Sequence, residues 1–137
     1  MAIRPRPGRC DTSTLNLRIV EEPTAVLPEY EKVSIAFLVE SQLRVECLQS
    51  GLGGWRLTEE KVEPPYLRDY DQDDGGSYLP TRWAERWDIS NWTVISAFQG
   101  SRRLGGATIA FNTPGNWMLE GRRDLAALWD IRLLPEY

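Results

Sequence analysis

Histidine is absent from this 137-residue sequence. Its absence removes Ser-His and Cys-His nucleophile pairs and the commonest zinc ligand. Cysteine is scarce. Cys10 and Cys47 are the whole complement, too few for a disulfide framework and too far apart for a metal knuckle. Both read as free thiols of a reducing, cytoplasmic setting. A basic stripe is also lacking: 16 Lys+Arg against 20 Asp+Glu leave a net charge of -4. That argues against a nucleic-acid partner. No apolar run reaches membrane-spanning length, and the basic Met1–Cys10 stretch has no apolar signal core. No membrane partner and no metal are expected.

What is present suits one folded domain. Hydrophobic residues make up 42% of the chain, with six Trp, five Tyr and three Phe as bulky packing material. Pro5, Pro7 and Gly8 mark residues 1–13 as a flexible basic tail. Residues 14–137 then form a single domain.

Apolar periodicity orders the rest. Thr14–Val20 alternates as a half-buried strand ended by Glu22-Pro23. Lys32–Glu46 is β-prone, although its early part, Ile35–Val39, is also compatible with a buried helix segment. Gly51–Gly54 is a turn into a return strand, Trp55–Glu60. Val62–Gly76 reads as loop, from Pro64-Pro65, Gly75-Gly76 and its aspartates. Thr81–Asp88 reads as a short helix with Trp83 and Trp87 on one face. Trp92–Phe98 and Leu104–Phe111 form a hairpin whose Gly105-Gly106 pair suggests a bulge or a close backbone approach. Asn112–Gly121 is a loop, and Leu125–Leu134 is a last apolar strand closed by Pro135. The fold class expected is α/β (α+β), a mainly antiparallel, twisted sheet with few helices.

Three ordered pieces carry the functional signal. Asn91-Trp92 opens a strand ending Ala97-Phe98. A turn leads into Leu104-Gly105-Gly106-Ala107-Thr108-Ile109-Ala110. Then comes Leu128-Trp129-Asp130-Ile131-Arg132-Leu133-Leu134-Pro135-Glu136-Tyr137. This order resembles the middle of GNAT-type N-acetyltransferases, in which a hairpin carrying a Gly-Gly pair precedes a central strand ending near proline. Within that superfamily the chain is most similar to the streptothricin-acetyltransferase branch, where a string like Leu-Trp-Asp-Ile-Arg occurs. The likeness covers Trp55–Tyr137 well and the earlier part loosely.

The resemblance implies acetyl transfer from acetyl-CoA to a primary amine of a small molecule, with antibiotic resistance as one context. It also implies a glycine-rich pyrophosphate loop after Tyr137. The chain therefore reads as the N-terminal part of such a fold, expected to be inactive alone. The backbone of Ile131, Arg132 and Leu133 is implied as the seat of the cofactor arm.

Asp130 is the candidate base on that strand, the alternative being an ion pair with Arg132 or Arg122. Glu120 is a second candidate, the alternative being a solvated loop carboxylate. From Glu59 to Asp74, seven acids and two bases give a local charge of -5, which would attract a cationic amine. Tyr66, Asp69, Tyr70, Asp71 and Trp83 are the candidate contacts for it. An ordinary solvated loop is the alternative for the acidic residues, and core packing for the tryptophans. Self-association through the exposed 125–134 strand is expected. The competing function is a non-catalytic module that holds a cationic ligand or pairs with another chain.

Overall fold

A computed structural model describes residues 16–137. The assigned flexible tail, residues 1–13, lies outside them, as does Cys10. Among the described residues the strands are β1 (Leu17–Pro23), β2 (Phe37–Cys47), β3 (Trp55–Arg68), β4 (Thr93–Gln99), β5 (Arg102–Phe111) and β6 (Ala126–Leu133). One four-residue helix, α1 (Leu27–Tyr30), follows β1. Short 3-10 turns at Thr24–Val26, Gln49–Gly51, Tyr70–Gly75, Pro80–Glu85 and Trp117–Leu119 make up the remaining helical structure. No described helix is long and apolar enough to cross a membrane.

The strands form two sheets, antiparallel throughout. One has the order β1-β4-β5-β6; the other is the β2-β3 ribbon. The glycine pair behaves as its chemistry requires. Leu104 is an extra residue between the pairs Ala97↔Gly105 and Phe98↔Arg103, so β5 bulges there. A Cβ on Gly105 would collide with the carbonyl oxygen of Arg132, and one on Gly106 would press the Tyr30 ring at 3.1 Å. Both glycines are thus close-approach positions.

Two expectations are corrected. The segment from Val62 is not loop: β3 continues to Arg68. Lys61 pairs with Ser41 and Tyr66 with Val39, so residues 62–65 bulge against Glu40 alone. A bulge in an edge strand is where proline's missing N–H costs little. The Thr81–Asp88 helix is instead a 3-10 turn over Pro80–Glu85, and it still brings Trp83 and Trp87 to one side.

The four-stranded sheet buries one face. Val94, Ala110 and Ala127 pack there with Leu27, Tyr30, Trp83, Trp92 and Leu119. Four tryptophans interlock: Trp87 meets Trp129 edge-on at 4.7 Å, and Trp92 lies 5.2 Å from Trp129 and 5.9 Å from Trp83. Two of their indole N–H groups find protein acceptors. Trp92 donates to Thr113 Oγ1 at 2.6 Å and Trp83 to the Tyr78 carbonyl at 2.9 Å. The opposite face is uncovered among the described residues. Ile95, Ala107 and Ile131 lie in one row across it, and Ile19 and Ile131 are 64% and 67% exposed.

Candidate active site

β6 is the edge strand of its sheet. The Leu134 amide donates to the Leu104 carbonyl at 2.8 Å, so that residue faces β5. Backbone groups alternate sides along an antiparallel strand. Arg132 therefore also turns its backbone toward β5, while Ile131 and Leu133 present N–H and C=O to the open edge. Beside that edge runs the segment from Ser34 to Leu38. Between them lies a groove of about 420 Å³, lined by Ile35, Phe37 and Leu38 on one side and by Ile131, Arg132 and Leu133 on the other.

At the Asp130 end the groove adjoins a cleft of about 510 Å³, and Ile35 lines both. The cleft has aromatic walls: Tyr70, Tyr78, Trp83, Trp87 and Trp129. Asp71, Asp73, Asp74 and Asp130 supply carboxylates, and Arg86 is the one basic side chain lining it. Trp129 reaches the cleft because β6 bulges there, between the pairs Thr108↔Asp130 and Ile109↔Leu128.

The floor is a buried ionic cluster. Arg132 is 2% exposed. Its guanidinium places all five N–H donors on acceptors. Nε donates to Asp130 Oδ2 at 2.9 Å and Nη2 to Asp130 Oδ1 at 3.2 Å. Nη1 and Nη2 donate to Asp71 Oδ2 and Oδ1 at 3.0 and 3.2 Å, and Nη1 also to the Val33 carbonyl at 3.2 Å. Burial opposes the charge on Arg132, but the hydrogen bonds of Asp130 and Asp71 outweigh it and raise its pKa. Tyr30 completes the cluster. Its hydroxyl donates to Asp130 Oδ2 at 2.7 Å, and Arg132 lies over its ring at 5.1 Å. Burial first, and then the Asp130 charge, push the Tyr30 hydroxyl pKa up.

The fold gathers most of the residues singled out from the sequence. Tyr70, Asp71, Trp83 and Asp130 line one cleft, and Ile131, Arg132 and Leu133 line the adjoining groove. Of the two alternatives for Asp130, the ion pair with Arg132 is present; Arg122 pairs with Asp124 instead. Three residues stand apart. Tyr66 is exposed on the ribbon. Asp69 caps the Tyr70–Gly75 turn, accepting from the Asp71 amide at 3.0 Å. Glu120 is an exposed loop residue with φ of 50°. Tyr30 escaped sequence reasoning, because nothing in Leu27–Tyr30 marks a partner on β6. No cluster of metal-ligating side chains occurs among the described residues.

No protein-family model matches the sequence, and no curated protein does. Solved structures do. One is a nourseothricin acetyltransferase, at 16% identity and a TM-score of 0.52, covering 88% of this chain and 55% of that one. Another is a protein of Bacillus anthracis str. Ames assigned as a streptothricin acetyltransferase and solved with acetyl coenzyme A. It is 20% identical with a TM-score of 0.52, covering 89% of this chain and 58% of the other. The chain thus spans little more than half the length of these structures. Over that span, its described residues share the fold of these two structures.

Proposed function

We propose that this chain forms the acyl-arm groove and the acceptor cleft of an acetyl-CoA-dependent N-acetyltransferase acting on a primary amine of a small cationic molecule. One observation carries the reading. The open backbone edge of β6 at Ile131 and Leu133 and the acid-and-aromatic cleft at Asp130 adjoin along one strand. An acyl group laid on that edge would meet an amine held in the cleft.

The groove fits the pantetheine arm of acetyl-CoA. Ile35, Phe37, Leu38 and Pro135 offer apolar contact, and the free Ile131 and Leu133 groups offer the hydrogen bonds an amide chain needs. Acetyl-CoA supplies an already activated thioester, so no covalent enzyme intermediate is required. The chain's own task is then placement. Carboxylates draw the ammonium into the cleft, and the ring faces of Tyr70 and Trp87 hold it. In this reading Asp130 receives the amine's proton, directly or through a water. Tyr30 and Arg132 keep its carboxylate in one orientation meanwhile. Glu120 stands outside that route. A thiol-release assay over a panel of amines, on the chain and on Asp130→Asn, tests the reading. Turnover that is unchanged in Asp130→Asn removes Asp130 from it.

The second reading is an assembly or ligand-holding module, inactive by itself. One observation favours it. The sheet face carrying Ile131 and Leu133 is uncovered, so self-association through β6 is part of this proposal. Acetyl-CoA binding without turnover, or spermidine binding alone, would support it.

A further inference from the structure

The base of the β2-β3 ribbon meets the body of the fold, where Phe37 lies 5.9 Å from the Tyr70 ring and Arg68 pairs with Asp73, but no described element packs along the ribbon beyond it. Its outer half has two unlike faces. On one, Leu43, Val45 and Cys47 of β2 lie beside Glu59, Leu57 and Trp55 of β3. On the other, Gln42, Arg44 and Glu46 lie beside Glu60, Thr58 and Arg56. The second face is polar at every position, and Arg44 pairs there with Glu60 at 3.3 Å and Glu46 at 3.6 Å. The first is mainly hydrocarbon, with Glu59 at its inner end: Trp55 is 70% exposed, and Leu43, Val45 and Leu57 are 60%, 56% and 60% exposed. A strand pair patterned this way has one side meant for water and one meant for a neighbour. A lone two-stranded ribbon is marginal in water, and a cover on its apolar side is what stabilises it.

We infer that the apolar face of the ribbon docks on the same face of a second copy of this chain, making a two-fold dimer through Leu43, Val45, Trp55 and Leu57. The area suffices. Leu43, Val45, Trp55 and Leu57 expose on the order of 500 Å² per copy, about 1,000 Å² for the pair, which is the least that a specific interface is expected to bury. The charge pattern agrees. The apolar band ends at Glu59 and Lys61, one acid and one base, so two like faces meet without net charge. A lipid surface would call for a basic flank. Here the polar face balances Arg44 and Arg56 against Glu46 and Glu60. A self-complementary patch is what a two-fold interface requires.

The proposal is independent of the catalytic reading and is tested separately from it. Sedimentation of the full chain is compared with Val45→Glu/Leu57→Glu, with near-ultraviolet circular dichroism of the tryptophan cluster reporting that the body stays folded. The parent sediments as a dimer at micromolar concentration, and the double variant dissociates on the order of a hundredfold more readily. Should the charged variant lose its fold, Leu43→Thr/Leu57→Thr keeps strand-compatible residues and is expected to weaken the dimer at least tenfold. In a Cys10→Ser background, Cys47 on the docked face cross-links to its copy with a short bismaleimide. Ile131→Ser/Leu133→Ser, on the other sheet, leaves that cross-link in place. A monomeric parent, an association untouched by the ribbon variants, or one removed only by the β6 variant would overturn the proposal. So would binding of the ribbon to lipid vesicles or another protein by a monomeric chain.

Discussion

The hydroxyl of Tyr30 donates to Asp130 Oδ2 at 2.7 Å across a sequence separation of 100 residues. The contact ties α1 to the strand that forms both the groove and the cleft. Gly106 makes it feasible, since a side chain there would press the Tyr30 ring. Tyr30→Phe keeps the ring under Arg132 and removes the hydroxyl. It is expected to cost about 1.5–3 kcal/mol, the worth of a hydrogen bond to a charged group. Thermal unfolding measures that loss. If Asp130 receives the substrate's proton, the same variant also lowers kcat more than it changes KM, because the carboxylate loses one of its fixed donors.

Arg132 is the keystone of the cluster. Arg132→Met leaves Asp71 and Asp130 buried without their cation and is expected to destabilise the fold by about 3–5 kcal/mol. Arg132→Lys does not restore it, since an ammonium has three donors and no planar fork. Adding Asp71→Asn and Asp130→Asn to Arg132→Met recovers most of the loss, because the uncompensated charges are then gone. Denaturant melts of the series check this.

Acid stability depends on Glu22. Burial would raise its pKa, but hydrogen bonds from Ser96 and Arg103 and the Arg103 charge outweigh it, and the carboxyl titrates below its ordinary 4.5. Arg103 Nη1 donates to Glu22 Oε2 at 2.8 Å. A carboxyl depressed in the folded state contributes stability that is complete above its unfolded pKa and disappears as pH falls through the folded value. Stability should therefore start to fall just below pH 4.5. Glu22→Gln should be less stable than the parent near neutrality and show a flatter acid limb.

The cleft should take polycationic amines. Spermidine binding is expected to be weak and to fade with added salt, since surface charge attraction is screened over about 8 Å at physiological ionic strength. Asp73→Asn/Asp74→Asn should weaken it without unfolding the chain. Asp69→Asn should act chiefly on the turn it caps, so it changes stability more than binding. Calorimetric titration of the three proteins separates these effects.

Much of this was legible in the sequence. Alternation placed β1, and apolar runs bounded by turn residues placed β4, β5 and β6, to within a few residues, while Gly105-Gly106 pointed to a bulge or a close backbone approach, and both occur. Leu-Trp-Asp-Ile-Arg marked the strand that forms the candidate site. What could not be read was long-range or local-rule-breaking. Arg132 was legible as a strand residue, but its buried fork depends on Asp71, on a distant turn. Tyr30 depends on a partner 100 residues away. The continuation of β3 through Pro64-Pro65 hides behind residues that normally end strands, and only the bulge opposite Glu40 accommodates them.

In the arrangement proposed for this chain, the β6 edge receives the acyl-carrying arm while the cleft receives the amine. Amide chemical-shift mapping of the nitrogen-labelled chain, titrated first with acetyl-CoA and then with spermidine, tests it most directly. Acetyl-CoA should perturb the amides of Ile131 and Leu133 and of the facing Ile35–Leu38 segment. Spermidine should perturb the Trp87 and Trp129 indoles and the Asp71–Tyr78 turn. Acetyl-CoA shifts confined to other surfaces, with the Ile131 and Leu133 amides unmoved at saturation, would contradict it.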